Sequence, residues 1–258
     1  MKKISVLLML ITMILCCSAC GDKIVLETAS DLANLRVGAV KTTYGEIYVK
    51  DCSFENIVLF ENIDDAANAI AGNEIDCVIT DLNTAKTIAS AREDITTTQT
   101  RIIENIDYYA AVRAGDFDTR SVAEVVTAEI KKETDFSKLC RGMIETTGEE
   151  RESFITEPQV GSSGEFTLGV LEQNSPYVFE ASNGEMNGIE IEYAKRFAEK
   201  RDQTLEVKVY EKRSDLINAL KSGEIDLYFR QAPLPASSGV TYSSSCYTVE
   251  LRVLIADK

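Results

Sequence analysis

The hydrophobic pattern changes character near residue 20. Before it, Ile4 to Leu15 forms a nearly unbroken apolar block behind Lys2 and Lys3. Beyond it, short apolar runs alternate with amphipathic stretches, the rhythm of a parallel α/β sheet. The pattern predicts a helical turn and a strand over Asp31–Val40, then a turn at Thr42–Gly45. A strand at Asn56–Phe60, a helix at Asp64–Ala71, a strand at Cys77–Thr80 and a helix at Asn83–Ala91 follow. Tyr108–Asp116 reads as a strand leaving this unit. Apolar spacing at Val122, Val125, Val126 and Ile130, then at Leu139 and Met143, predicts two helices with a break near Thr134. Pro158, Gly161, Ser162, Ser163 and Gly164 mark residues 155–165 as a linker. A second series then begins: strand Phe166–Leu171, helix Ile189–Lys200, strand Leu205–Tyr210, helix Asp215–Lys221, strand Ile225–Phe229 and a final strand Val249–Ala256.

Two of these segments carry nearly the same text. Asp65-AANAIAGNEI-Asp76 and Asp215-LINALKSGEI-Asp226 agree at six of twelve positions, and each reads as helix, tight turn and strand. The fold class expected is α/β, with two similar lobes around a central cleft. Such clefts are where small ligands sit.

The apolar block, at Ile4–Leu15, is too short to span a bilayer as a mature helix and has the build of an export signal. It ends in Cys17-Ser18-Ala19-Cys20, which resembles a bacterial lipobox. That resemblance implies cleavage before Cys20, a lipid on its sulfur, and a body tethered to the extracytoplasmic face of the cell membrane. A plain secretory signal is the alternative. Losing residues 1–19 takes the formal charge from −15 to −17. So acidic a surface repels phosphate backbones and anionic headgroups, so no nucleic-acid partner is expected and the membrane is met only through the lipid. No histidine occurs anywhere, which removes Ser-His and Cys-His nucleophiles and HExxH zinc sites. Phosphate-cradling glycine loops are also missing from the text, and no metal or cofactor is expected. Cys52, Cys77, Cys140 and Cys246 are spaced too widely for a metal pair or a disulfide-dense scaffold.

Residues 166–257 resemble the first lobe of the polar amino-acid solute-binding proteins that serve ABC importers, the bacterial extracellular solute-binding family 3, with a type II periplasmic-binding-protein-like fold. The resemblance rests on Ser175-Pro-Tyr-Val-Phe179, Asn183-GEMNGIEIE, Ser222-GEI-Asp226 and Val240-TY-Ser243. Residues 31–117 resemble the family's second lobe through Asp31-LANLRVGAV-Lys41, Gly72-NEIDCVIT-Asp81 and Tyr109-AAVRAGD, and residues 121–147 its closing helices. The order departs from the family's, so the chain reads as circularly permuted, with a remnant of tandem modules as the alternative. The domains expected are a signal over 1–19, a lobe over 20–117, closing helices over 118–154, a linker over 155–165 and a lobe over 166–258.

Ligand contacts in open α/β sheets come from loops at the carboxyl ends of strands. By the family's pattern that selects Thr42, Thr43, Tyr44 and Asp81 from one lobe, and Asn174, Tyr177 and Gln231 to Pro233 from the other. The resemblance gives Asp81 the ligand's ammonium group; its other reading is a cap for the following helix. The family's carboxylate-gripping arginine falls on Pro235-Ala-Ser-Ser238 and is missing, leaving Arg230 or Lys41 as substitutes. The resemblance implies a monomeric, lipid-anchored receptor, with a swapped dimer as the alternative. It would close on a small polar, amine-bearing solute by hinging at Tyr109–Arg113 and Val249–Ile255 and present it to the permease of an ABC importer. The alternatives are a degenerate sensor or interaction module, and a carboxylate-dependent dehydratase or lyase using Glu172, Glu190 or Asp81.

Overall fold

The computed structural model describes residues 24–98, 105–172, 174–231 and 238–257. The N-terminal lobe opens with a 3-10 turn (Ala29–Leu32) and β1 (Val37–Val40), followed by α1 (Tyr44–Asp51), β2 (Ile57–Phe60), α2 (Ile63–Ala71), β3 (Cys77–Asp81), α3 (Leu82–Ala91) and β4 (Ile95–Thr97). β5 (Asn105–Arg113) leaves it, and α4 (Phe117–Ile130), α5 (Thr134–Glu145) and α6 (Gly148–Glu152) come next. The C-terminal lobe holds β6 (Glu165–Leu171), a small hairpin of β7 (Phe179–Glu180) and β8 (Met186–Asn187), α7 (Ile189–Lys200), β9 (Thr204–Tyr210), α8 (Arg213–Ser222) and β10 (Leu227–Arg230). A long last strand, β11 (Val240–Ala256), returns to the first lobe.

The repeated text folds into a repeated turn. After α2 the left-handed position is Asn73 at φ 57°, and after α8 it is the aligned Gly223 at φ 79°; both types tolerate that region. The amides of Glu74 and Ile75 donate to the carbonyl of Ala69, as those of Glu224 and Ile225 do to Ala219. The carboxylate of Asp76 accepts the amide of Arg36 at 2.8 Å, and that of Asp226 accepts the amide of Thr167 at the same distance. Each aspartate therefore staples its turn to the start of the neighbouring strand. The equivalence continues into the strands: a Cβ on Gly38 would lie 2.7 Å from Ile75, and one on Gly169 would lie 2.5 Å from Leu216 and against Ile225. Glycine at both places lets the helix-end isoleucine lie directly on the strand.

Both lobes have one strand order. The first runs β2-β1-β3-β11 with β4 beyond, and the second runs β9-β6-β10-β5-β11. In each, three parallel strands meet an antiparallel strand crossing from the other lobe. The inner parallel strands β1, β3, β6 and β10 are largely buried on both faces, as helices on either side require, while the edge strands β2 and β9 are only half-buried. β11 pairs with β5 up to Glu250 and with β3 from Leu251 onward, so one strand belongs to both sheets. The largest core cluster is continuous beneath both lobes, from Val37 and Ile79 to Phe166, Phe197 and Phe229. The closing helices bridge the halves: α4 packs on α7, and α5 on α3.

Several expectations need correction. Thr42–Gly45 is not only a turn, because Tyr44 begins α1, with Thr43 as an extended N-cap and Glu46 in its first turn. The break in the closing helices falls at 131–133, and α6 adds a third. Of the expected linker, residues 155–164 lack regular structure but are tied down, and Glu165 already begins β6: Thr156 donates to Glu192 at 3.1 Å (N–H) and 2.6 Å (hydroxyl), and the amide of Gly161 donates to Thr204 at 3.1 Å. Tyr109–Arg113, one of the two expected hinges, lies within the second sheet between β10 and β11. Val249–Ile255 does contain the partner switch of β11, and two register shifts lie just before it, between Tyr242 and Tyr247.

Candidate functional site

The carboxyl ends of β1, β3, β6 and β10 face one another across the gap between the lobes, and the side chains expected there meet by direct contact. Asp81 ends β3, is buried, and caps α3: its carboxylate accepts the amide of Thr84 at 3.0 Å and the hydroxyl at 2.8 Å. From the other lobe the Tyr177 hydroxyl donates to Asp81 Oδ1 at 2.6 Å, and the Tyr108 hydroxyl lies 3.4 Å from Oδ2. The cap and the inter-lobe contact thus use the same carboxylate: Asp81 caps α3 and also faces the opposite lobe. Four donors fill the four lone-pair directions that a carboxylate offers.

Tyr44 and Gln231 make a second bridge. The Tyr44 amide, at the amino end of α1, donates to Gln231 Oε1 at 2.7 Å, and Gln231 Nε2 meets the hydroxyl of Tyr108. Thr42 makes a third, accepting Arg213 Nε at 2.9 Å from the start of α8. Thr42 sits at φ 63°, a region a β-branched residue rarely occupies. Its amide is held by the Glu46 carboxylate and its hydroxyl by the Lys41 carbonyl at 2.6 Å. Strain of this kind persists only where the surroundings over-determine it, and gathers at sites of recognition. The Thr43 hydroxyl turns back to the carbonyl of Val40 at 2.7 Å, so that residue shapes the turn rather than the gap. Asn174 bridges to Val178 and donates to Glu190 at 3.4 Å.

Buried charge surrounds these contacts. Arg230 ends β10 almost wholly buried; one Nη donates to the Tyr228 hydroxyl at 3.3 Å, and its Nε has no partner among the described residues. Dehydration and the charge of Arg230 push Arg213 down, while Glu190 pulls it back up. Glu190, in the first turn of α7, is buried; loss of water raises its pKa to about 8 against the pull of Arg213. Tyr108, Tyr177 and Tyr247 pack as a layer, with ring centroids 4.8 Å apart for the first pair and 4.5 Å between Tyr108 and Tyr247. Burial lifts all three phenols, and the Asp81 charge adds to the lift for Tyr108 and Tyr177. Their hydroxyls therefore stay protonated, and those of Tyr108 and Tyr177 act as donors to Asp81.

Lys41 pairs with Glu61 on the surface and is no substitute for the missing arginine. Glu172 is exposed. Cys20 and Ala232–Ser237, with Pro233, lie outside the described residues. Reading the sequence missed Arg213, Tyr108 and Asn83, whose amide donates to Tyr177 at 3.2 Å. Arg213 lies three residues beyond the carboxyl end of β9, so the strand-end rule that found Asp81 could have found it. Among the described residues no group of three or more His, Cys, Asp or Glu side chains could hold a metal ion.

Two α/β lobes with matching strand order, joined by crossing strands and with polar side chains meeting between them, place the chain in the type II periplasmic-binding-protein-like fold class. Residues 166–237 match the model of bacterial extracellular solute-binding proteins, family 3. Among solved structures, the GluR0 ligand-binding core complexed with L-glutamate is similar at 11% identity and TM-score 0.45, over 87% of this chain and 85% of that one. The ancestral amino acid-binding protein AncCDT-1, a precursor of cyclohexadienyl dehydratase, is similar at 10% identity and TM-score 0.42, over 85% and 80%. A phosphate-binding protein of a Streptococcus pneumoniae phosphate ABC transporter is similar at 10% identity and TM-score 0.41, over 86% and 89%. No curated protein matches the chain.

Proposed function

We propose that this chain is a lipid-anchored extracytoplasmic receptor that closes its lobes on a small polar solute bearing a carboxylate and delivers it to an ABC importer. The observation that carries the reading is the meeting of strand-end side chains from both lobes beside the buried guanidinium of Arg230. A guanidinium with an unpaired Nε in a dry site is a ready partner for a carboxylate. Arg213 stands near enough to share the load, and the family match over 166–237 supports a solute as the guest. An amine on that solute fits Asp81 only if the hydroxyl of Tyr177 or Tyr108 gives way. Opening the lobes does that for Tyr177.

The test is a thermal-shift panel of amino acids, dicarboxylates and polyamines. A ligand present at a thousand times its Kd stabilises by about 4 kcal/mol. Carboxylate-bearing compounds should raise Tm, and Arg230→Ala with Arg213→Ala should abolish the shift. Uptake of the hit by cells should then require the chain. The saturation of Asp81 by the protein's own donors favours a second reading, a sensor or interaction module whose crevice is closed on itself. A silent panel would support that reading. Turnover of a hit, with Glu190 as a buried acid, would instead support an enzyme.

A further inference from the structure

A cavity of about 500 Å³ opens apart from the crevice contacts, between α5, the first turns of α3 and α7, and β11. Its volume suits a small organic molecule. It shares Asn83 and Tyr247 with the edge of the crevice, but Thr42, Tyr44, Asp81, Tyr177, Arg230 and Gln231 do not line it. The interior is apolar and aromatic: Phe136 and Tyr193 meet edge to face at 4.7 Å and 80°, and Tyr193 lies 5.5 Å from Tyr247. Ile189 and Val249 complete the walls. A third ring placed there finds both faces and edges to pack against. The Tyr247 hydroxyl, among the lining residues, is buried with no hydrogen-bond partner among the described residues.

The mouth has the opposite character. Lys86, Lys131 and Arg141 stand around it with one acid, Glu145, which Lys86 already holds at 3.2 Å. Neither Lys131 nor Arg141 makes a close ion pair among the described residues, although the Lys131 charge also acts on the Asp107 carboxylate. A local excess of cations on a chain of formal charge −15 is against the trend of the surface, and it draws anions to this opening.

We propose that this cavity is a second binding site, for a small aromatic carboxylate whose ring enters between Phe136, Tyr193 and Tyr247 and whose carboxylate stays at the mouth with Lys131 and Arg141. The walls come from the N-terminal lobe, the C-terminal lobe and the closing helices, so the occupant touches every part that moves when the lobes do.

Calorimetric titration of the full chain with phenylacetate tests this. Saturable binding is expected, weakened at least tenfold by the double variant Lys131→Ala with Arg141→Ala and by replacing the probe with neutral phenylacetamide. Both side chains are exposed, so the variant keeps its fold. A second variant, Ser137→Trp, places bulk at the mouth from an exposed position and should abolish binding. Arg213→Ala, in the crevice, should leave the affinity for phenylacetate unchanged. No heat at 10 mM phenylacetate overturns the proposal, as does binding that survives both mouth variants. Loss on Arg213→Ala with the mouth variants still binding also overturns it, by placing the probe in the crevice; the crevice reading itself stands or falls on its own panel.

Discussion

Replacing Glu190 by Gln isolates the cost of a buried acid. In the folded chain its carboxyl sits at about 8 rather than the ordinary 4.5, because burial outweighs the attraction of Arg213. The folded-state value lies above the unfolded one, so the native state keeps a proton that the unfolded chain gives up. Stability is therefore whole below about pH 4.5 and is lost as pH rises toward 8. The displacement corresponds to a ceiling of about 5 kcal/mol. Glu190 occupies the first turn of α7, where the positive end of the helix favours the charged form, so the realised loss falls short of that ceiling. Asp107 and Glu46, whose carboxyls are held low by hydrogen bonds, impose the opposite slope, but only below about pH 4. Urea unfolding at intervals from pH 5 to 8 separates the two. Wild type and Glu190→Gln should agree near pH 5, and the variant should lead by a few kcal/mol at pH 8. A difference that stays flat across that window would refute the reasoning, because Glu190 would then be charged and satisfied throughout.

Other outcomes follow from the same packing. Gly169→Ala drives a methyl into Leu216 and Ile225 and should cost about 1–3 kcal/mol in urea unfolding. Glu192→Ala strands Lys195, its buried partner at 2.6 Å, and should cost about 3–5 kcal/mol. Of the four described cysteines only Cys52 is exposed, while burial lifts Cys77 and Cys140 to about 12. Thiol titration at pH 8 should therefore show Cys52 reacting fast and Cys140 slowly, with the buried Cys77 and Cys246 reacting only on unfolding.

Much of the fold was legible because duplication left matching text: Asp65–Asp76 and Asp215–Asp226 name the same turn twice, and the structure repeats it bond for bond. The helix Ile189–Lys200 could be read to its ends, since Gly188 before it and the polar run after it punctuate both sides. β11 could not be, because Ser243-Ser-Ser245 carries no hydrophobic pattern and is a strand only by pairing with β5. α1 was hidden for a related reason: Thr42–Gly45 has turn composition, and only packing on β1 and β3 makes the next residues helical. For the site, position along a strand found Asp81, Gln231 and Arg230. What each touches was not legible, since Tyr108 reaches the crevice through the pairing of the lobes and not through any local signal.

The crevice as it stands contains its own competitor. Tyr177 gives Asp81 a short, charge-assisted hydrogen bond from the opposite lobe, the place a guest's donor group would take. Such a bond contributes about 1.5–3 kcal/mol to the closed form. A guest must displace it, and its apparent affinity falls by the fraction of molecules that remain self-closed. Tyr177→Phe removes the hydroxyl and keeps the ring against Tyr108. The variant should melt lower without ligand, and it should bind an amine-bearing guest more tightly than wild type does, by roughly tenfold for 1.4 kcal/mol of competition removed. If the melting point falls while affinity falls with it, Tyr177 contacts the guest and does not compete with it. If affinity is unchanged, Asp81 receives no part of the guest, and Arg230 with Arg213 carries recognition alone.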